Sequence, residues 1–240
     1  MPFTITADER GVVFAANGAY VYLPDDDPIF EPVAVELNGF TGRAVEAETV
    51  MKAEALPDHL RGHASKALLS TTRTAVEAAR ERAREFAVAD QRAMTPPKSL
   101  DSSNAAEIRA IARSLDRSGK TAFVINATPV ELAALMTPGN LADLPDEAMT
   151  LAKERALLEF HIIGSGIAGS HALQPSLARI TAIGIDDDAA RREGEIAIAG
   201  HKARRDRIET TEDVMQRLVA YVAAALGLSA ERALDRILAA

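Results

Sequence analysis

At 240 residues, 48% of them hydrophobic and 26% charged, the chain is long enough to bury a substantial core and too apolar for wholesale disorder. A formal charge of −8 argues against a protein whose main task is to coat nucleic acid, since phosphate binding needs clustered Lys and Arg. With no cysteine in the chain, disulfides, thiolate zinc sites and a cysteine nucleophile are all excluded.

The first residues, MPFTITADERG, lack the basic region and apolar core of a signal peptide. The longest apolar run, LVAYVAAALGL at 218–228, falls short of the roughly 20 residues that a membrane span needs. The chain is therefore expected to be soluble and not secreted through a signal peptide. Its expected place is the cytoplasm or the inside of an assembled particle, with no membrane partner.

Six of the ten aromatic residues fall within residues 1–42: Phe3, Phe14, Tyr20, Tyr22, Phe30 and Phe40. Here GVVFAANGAYVYL places two β-prone runs around Asn17-Gly18, a pair that tolerates the positive φ of a type I′ turn. A hairpin is predicted at about 11–23, followed by an extended, proline-bearing stretch that makes residues 1–42 a hairpin and arm. From Arg43 the period becomes helical. Between 64 and 93, Leu69, Thr72, Val76, Ala79, Ala83, Phe86 and Asp90 recur at spacings of three and four, a heptad-like seam of small residues suited to close approach.

That helical segment, 43–94, ends at a double proline and polar run, so 95–103 is read as a linker before a helical domain at 104–240. Within that domain Asn104, Thr128 and Thr211 look like N-caps, Thr128 with a first-turn proline and Glu131 completing a capping box. A short helix is expected after Ser229, and KTAFVINA at 120–127 looks extended. The predicted fold class is mainly α: a helical, bundle-like body with a small β-hairpin and extended N-terminal region.

The stretch EFHIIGSGIAGSHAL carries Gly164, Gly166 and Gly169 as G-x-G-x-x-G, with Asp186 22 residues after Gly164. Over these residues the chain resembles the dinucleotide-binding fingerprint, which implies a pyrophosphate on the glycine turn and an acid on the ribose. Three features oppose that reading. The preceding DEAMTLAKERALLEFHII reads as a long helix, Pro175 interrupts the helix that should follow, and too little chain remains for the other strands of the sheet. The glycines are thus expected to form a helix break or close contact, and no cofactor is expected.

Other motifs are weaker. DRSGKT at 116–121 lacks the first P-loop glycine, because residue 114 is Ser114. His59 and His63 share a helix face as metal ligands would, but Leu60 stands where a metalloprotease has its glutamate. The triplet Asp25–Asp27 reads as a solvated loop and Asp186–Asp188 as a helix start complementing the dipole, although both are acidic enough to consider for a cation. The basic run HKARRDR at 201–207 has no interleaved aromatics, so nucleic acid is not expected as the main partner. Ser165 is misplaced for a nucleophile elbow.

Together these features predict a non-enzymatic assembly protein that oligomerises through helices and an extended N-terminal arm. A virion component, such as a tailed-phage neck or head-completion protein at the head-tail connector, has this character. Leu69, Val76, Ala79, Ala83, Phe86, Tyr20 and Tyr22 are the expected interface, with copies of itself and other proteins of the assembly as partners. Two alternatives stand beside it: a helical adaptor or regulator for a protein partner, and a nucleotide-cofactor enzyme using the GSGIAG segment.

Overall fold

The computed structural model describes residues 3–52, 54–178 and 180–240. It opens on an antiparallel meander of β1 (Thr4–Asp8), β2 (Gly11–Ala16) and β3 (Ala19–Pro24). Asn17 and Gly18 both take positive φ, 48° and 89°, and join β2 to β3 in the register Ala16↔Ala19, Phe14↔Val21. That is the predicted hairpin, whose twist the left-handed pair matches. Phe14, Ala16, Val21 and Leu23 share its buried face.

The predicted extended arm is shorter than expected. Only the turn after Pro24 is irregular, and α1 (Glu31–Val50) begins with Pro32 in its first turn. A first-turn proline lacks only an N–H that the helix does not use. Of the three prolines that suggested an arm, Pro24 ends β3, Pro28 lies in the turn and Pro32 marks a helix start. Val33, Leu37, Phe40, Thr41 and Ala44 form its buried face.

Next come α2 (Leu56–His59), a π-type turn at Leu60–Ala64 broken at Gly62, and α3 (Ser65–Ala93). A 3-10 turn at Lys98–Leu100 leads to α4 (Ala105–Ser114), α5 (Arg117–Asn126) and α6 (Pro129–Leu135). They are followed by α7 (Asp146–Ser165), α8 (Ile167–Ser170), α9 (Asp187–Leu226) and α10 (Ala230–Ala239). With 68% of the chain helical against one small sheet, the protein is mainly α, as predicted. No helix among the described residues is long and apolar enough to cross a membrane.

Helix α5 occupies the stretch expected to be extended. Its β-branched residues are overruled by a strong local start: Asp116 at the N-cap accepts from the Gly119 N–H at 2.7 Å. Val124 is then fully buried on the helix face. The capping box at Thr128 and Glu131 is present as read, and the Ser229 cap starts α10. Asn104 occupies the N-cap position of α4 without a side-chain capping bond. Thr211 opens no helix; it lies within α9, where its hydroxyl donates to the Arg207 carbonyl at 2.7 Å.

By its contacts the chain forms two compact units, Met1–Glu85 with Arg205–Ala240, and Phe86–Arg204. Both boundaries fall inside helices, where composition carries no break. The first unit has an aromatic core, with Phe14, Phe30 and Phe40 packed with Leu218, Tyr221 and Leu226. Burial pushes the Tyr221 phenol up to about 12, although its hydroxyl is shared with Thr41 Oγ1 at 2.8 Å. The core of the second unit is built on alanines, among them Ala112, Ala148, Ala152 and Ala156, with Leu132, Leu135 and Phe160.

One ion pair ties the first unit together. Arg82 of α3 donates two hydrogen bonds to the Asp27 carboxylate, which is 5% exposed, and a third at 3.3 Å to Thr211 Oγ1. These bonds hold the Asp27 carboxyl below its usual range, against the opposing effect of burial. Because its folded pKa is lowered, the pair contributes stability above the ordinary carboxyl value and loses it as pH falls through the folded value. Asp27→Asn leaves the Arg82 guanidinium charged but without its counter-charge and is expected to cost about 3 kcal/mol near neutral pH. The gap to the parent should close in acid, as urea melts followed by tyrosine emission will show, since Tyr20, Tyr22 and Tyr221 all lie in this unit. Conversely, Thr72 Oγ1 is buried without a hydrogen-bond partner. Thr72→Val removes that unpaired hydroxyl at nearly constant shape and is expected to raise stability by about 1 kcal/mol in the same melts.

Candidate functional site

The heptad-like seam does three different things along α3. Leu69 and Thr72 are buried, while Val76 and Ala79 pack half-exposed against the first unit's core. Val76, Ala79 and Ala83 then wall a groove of about 470 Å³ with Met215 and Val219 of α9 and Leu234 of α10. Its rim carries Arg80, Glu212 and Glu231. Further along, Phe86 and Asp90 belong to the second unit and both engage His201: the Phe86 ring lies 4.9 Å from the imidazole, and Asp90 Oδ1 is 2.8 Å from Nε2. Of the two aromatics expected at an interface, Tyr20 is 55% exposed, with its hydroxyl and ring both engaged by Arg217. Tyr22 is half-buried, its phenol raised by desolvation and by the Asp8 and Asp25 carboxylates.

The glycine segment has helix-end geometry. Gly164 and Ser165 close α7, Gly166 takes the left-handed conformation (φ 73°, ψ 12°) that ends it, and Gly169 lies in the four-residue α8. A pyrophosphate cradle needs a strand before the turn and a long helix after it; here a helix precedes and a single turn follows. Asp186 accepts from the Ala189 N–H at 2.9 Å and so starts α9, with Asp187 and Asp188 in the first turn, as read for that triplet. Lys120 of the P-loop-like run reaches Asp143 Oδ2 at 3.0 Å and its carbonyl at 2.6 Å.

His59 lies on α2, and the side chain of His63 falls outside the described ones. Among the described residues no group of three or more His, Asp or Glu is arranged to hold a metal ion. In the first acidic triplet, Asp27 is committed to Arg82 rather than solvated.

The surface that sequence reasoning missed follows α8. The Asp186 N–H donates to the His171 carbonyl at 2.7 Å, the Leu173 N–H donates to the Gly184 carbonyl at 3.0 Å, and Ala172 bridges Ile185. These contacts close the base of a loop that carries Leu177, Ile180 and Ile183 at 100%, 73% and 92% exposure. Pro175 and Gly184 deny it a helix, although Leu177, Ile180 and Ile183 recur at every third residue. Large aliphatics set between such breakers were the available signal. No family model matches the chain, and no curated protein or solved structure is significantly similar to it.

In the second unit α9 meets α7 tightly at Gly194, whereas the fingerprint glycines make no such contact. A Cβ at Gly194 would meet Ile162 Cγ1 and Leu158 Cδ1 at 2.9 Å, whereas one at Gly166 or Gly169 would meet nothing within 4 Å. Gly194→Val is therefore expected to cost about 2 kcal/mol by overpacking. It should raise amide exchange across α7 and the 187–204 part of α9, which hydrogen-exchange mass spectrometry can read. Gly166→Ala should cost about 1 kcal/mol through its left-handed backbone alone, leaving the distant amides of α7 unchanged.

Proposed function

We propose that the protein is a non-enzymatic assembly component that associates head to tail with copies of itself. In this reading the aliphatic loop at 171–186 of one copy seats in the groove of α3, α9 and α10 of the next. The observation that carries it is the loop: three large aliphatic side chains held in solvent on a closed, hydrogen-bonded base. Such exposure marks a docking element more than a stability device. The occupant is argued from complementarity within one chain, because the groove offers Val76, Met215, Val219 and Leu234 as apolar walls and small alanines as a floor.

Burying the three loop side chains is worth about 2 kcal/mol apiece. That total lies near the lower end of the ~4–15 kcal/mol that association costs. The loop is therefore the anchor and flanking surface supplies the remainder. A loop and a groove at different places on one chain make a heterologous contact, which closes into a ring or propagates as a filament. We place this behaviour in a repeating particle such as a virion, as a tailed-phage neck or head-completion protein. The support for that setting is architectural analogy, a helical body with a protruding apolar loop.

Native mass spectrometry and sedimentation velocity on the untagged protein test the reading. A defined homo-oligomer is expected, dissociating to monomer in the double variant Leu177→Asp, Ile183→Asp with unchanged helix content. The control Val50→Asp, an 81% exposed aliphatic elsewhere, should leave the oligomer intact. A parent protein that stays monomeric at the highest soluble concentration overturns self-assembly.

A further inference from the structure

A second feature of the Phe86–Arg204 unit is independent of assembly. Helices α3, α7 and α9 wall an open cavity of about 800 Å³, a size that takes a small organic ligand. Its lining includes the buried Leu157 and Phe160, 4% and 3% exposed, with Pro97 and the largely exposed Ile196. The lining also carries two arginines and a histidine. Arg92 comes from α3, Arg204 from α9 and His161 from α7. Among the described residues neither guanidinium nor the His161 ring has an ion-pair or hydrogen-bond partner. Neighbouring cations behave otherwise: Arg191 pairs with Glu159 at 3.0 Å and Lys202 with Glu154 at 2.8 Å. His201, also in the wall, is held by Asp90 and stacked on Phe86, so its ring is oriented before any ligand arrives.

A second observation concerns the wall itself. Gly200 lies inside α9, where a glycine costs about 1 kcal/mol relative to alanine. Packing does not demand it, since a Cβ there would meet no atom within 4 Å. It lines the cavity, so a larger side chain at this position would extend into or beside that space. Gly164, facing the same space, has only Pro97 within reach of a Cβ, at 3.5 Å.

The geometry points to a binding site for a small organic phosphate, its anionic group held between Arg92 and Arg204 and its apolar body lying on Leu157, Phe160 and Ile196. Guanidinium forks match phosphate oxygens bidentately, and two of them lining one cavity together with apolar residues favour an anion that brings an apolar group with it. The run at 201–207, which reads as a generic basic patch, thereby acquires a specific use for His201 and Arg204.

The probe is 1-naphthyl phosphate, followed by its own fluorescence, with 1-naphthol and inorganic phosphate as the two halves of the ligand. Saturable binding of the phosphate ester is expected, with each half alone weaker by about tenfold or more. The double variant Arg92→Gln, Arg204→Gln should weaken it by about tenfold, through exposed side chains whose loss leaves the fold intact. Gly200→Leu should block it, while the better helix former keeps or raises thermal stability. Three results each overturn the site: no saturation, 1-naphthol binding as tightly as its phosphate, or binding indifferent to the arginine pair.

Discussion

The arrangement of the first unit depends on the Asp27 carboxylate. It is buried, so it needs a charge partner, and the partner comes from the middle of α3 rather than from a sequence neighbour. Its second function is local: the Ile29 N–H donates to Asp27 Oδ1 at 3.1 Å, which fixes the turn that launches α1. Arg82 also donates to Thr211, so α9 is registered against α3 at the same point. A charged pair taken out of water specifies position better than it adds stability, because any displacement leaves a buried charge exposed to its full desolvation penalty. The groove of α3, α9 and α10 has two of its walls set by that register: Ala83 follows Arg82, and Met215 lies one turn beyond Thr211.

The two units solve the packing problem with opposite materials. In the first, large rings and branched aliphatics fill the space left by a sheet on helices, and the T-shaped contact of Phe3 with Phe40 at 6.4 Å is typical of that core. In the second, alanines every four residues along α7, at 148, 152 and 156, bring helices close enough for backbone-scale contact. Gly194 continues the same logic on α9. Small-residue packing leaves little slack: a methyl group at Gly194 has no room, whereas one at Gly166 is limited only by φ.

Much of this architecture is legible from local chemistry. The Asn17-Gly18 turn, the Thr128–Glu131 capping box, the Ser229 cap and the helical character of the segment before Gly164 all follow from rules that operate within a few residues. The failures have two causes: a local cap or first-turn proline overruled composition in some stretches, and in others the deciding partner is remote in sequence. Residues 120–127 are rich in β-branched side chains, yet the Asp116 cap and the burial of Val124 make them helical. Thr211-Glu212-Asp213 has the composition of a helix start, yet the chain is already helical from Asp187 and Thr211 is needed opposite Arg82. The seam on α3 has the period of a coiled coil, but its residues are divided among core, groove wall and a contact with His201. Periodicity identifies a face; it does not say what covers the face.

The glycine-rich stretch shows the same limit from another side. A glycine is an absence of side chain, and that absence serves a phosphate cradle, a left-handed helix end, a tight helix crossing or an open cavity equally well. Spacing alone does not choose among them, since G-x-G-x-x-G fits a cradle only when a strand feeds it. With α7 feeding it, Gly166 ends a helix and Gly164 borders a cavity, while Gly194, close against α7, and Gly200, beside the cavity, lie in α9 outside any motif. Chemistry toward an anion, in the site proposed above, comes from Arg92 of α3 and Arg204 of α9 rather than from backbone N–H groups on one turn. Such a site has no contiguous signature, because its two arginines lie on different helices at positions set by tertiary packing.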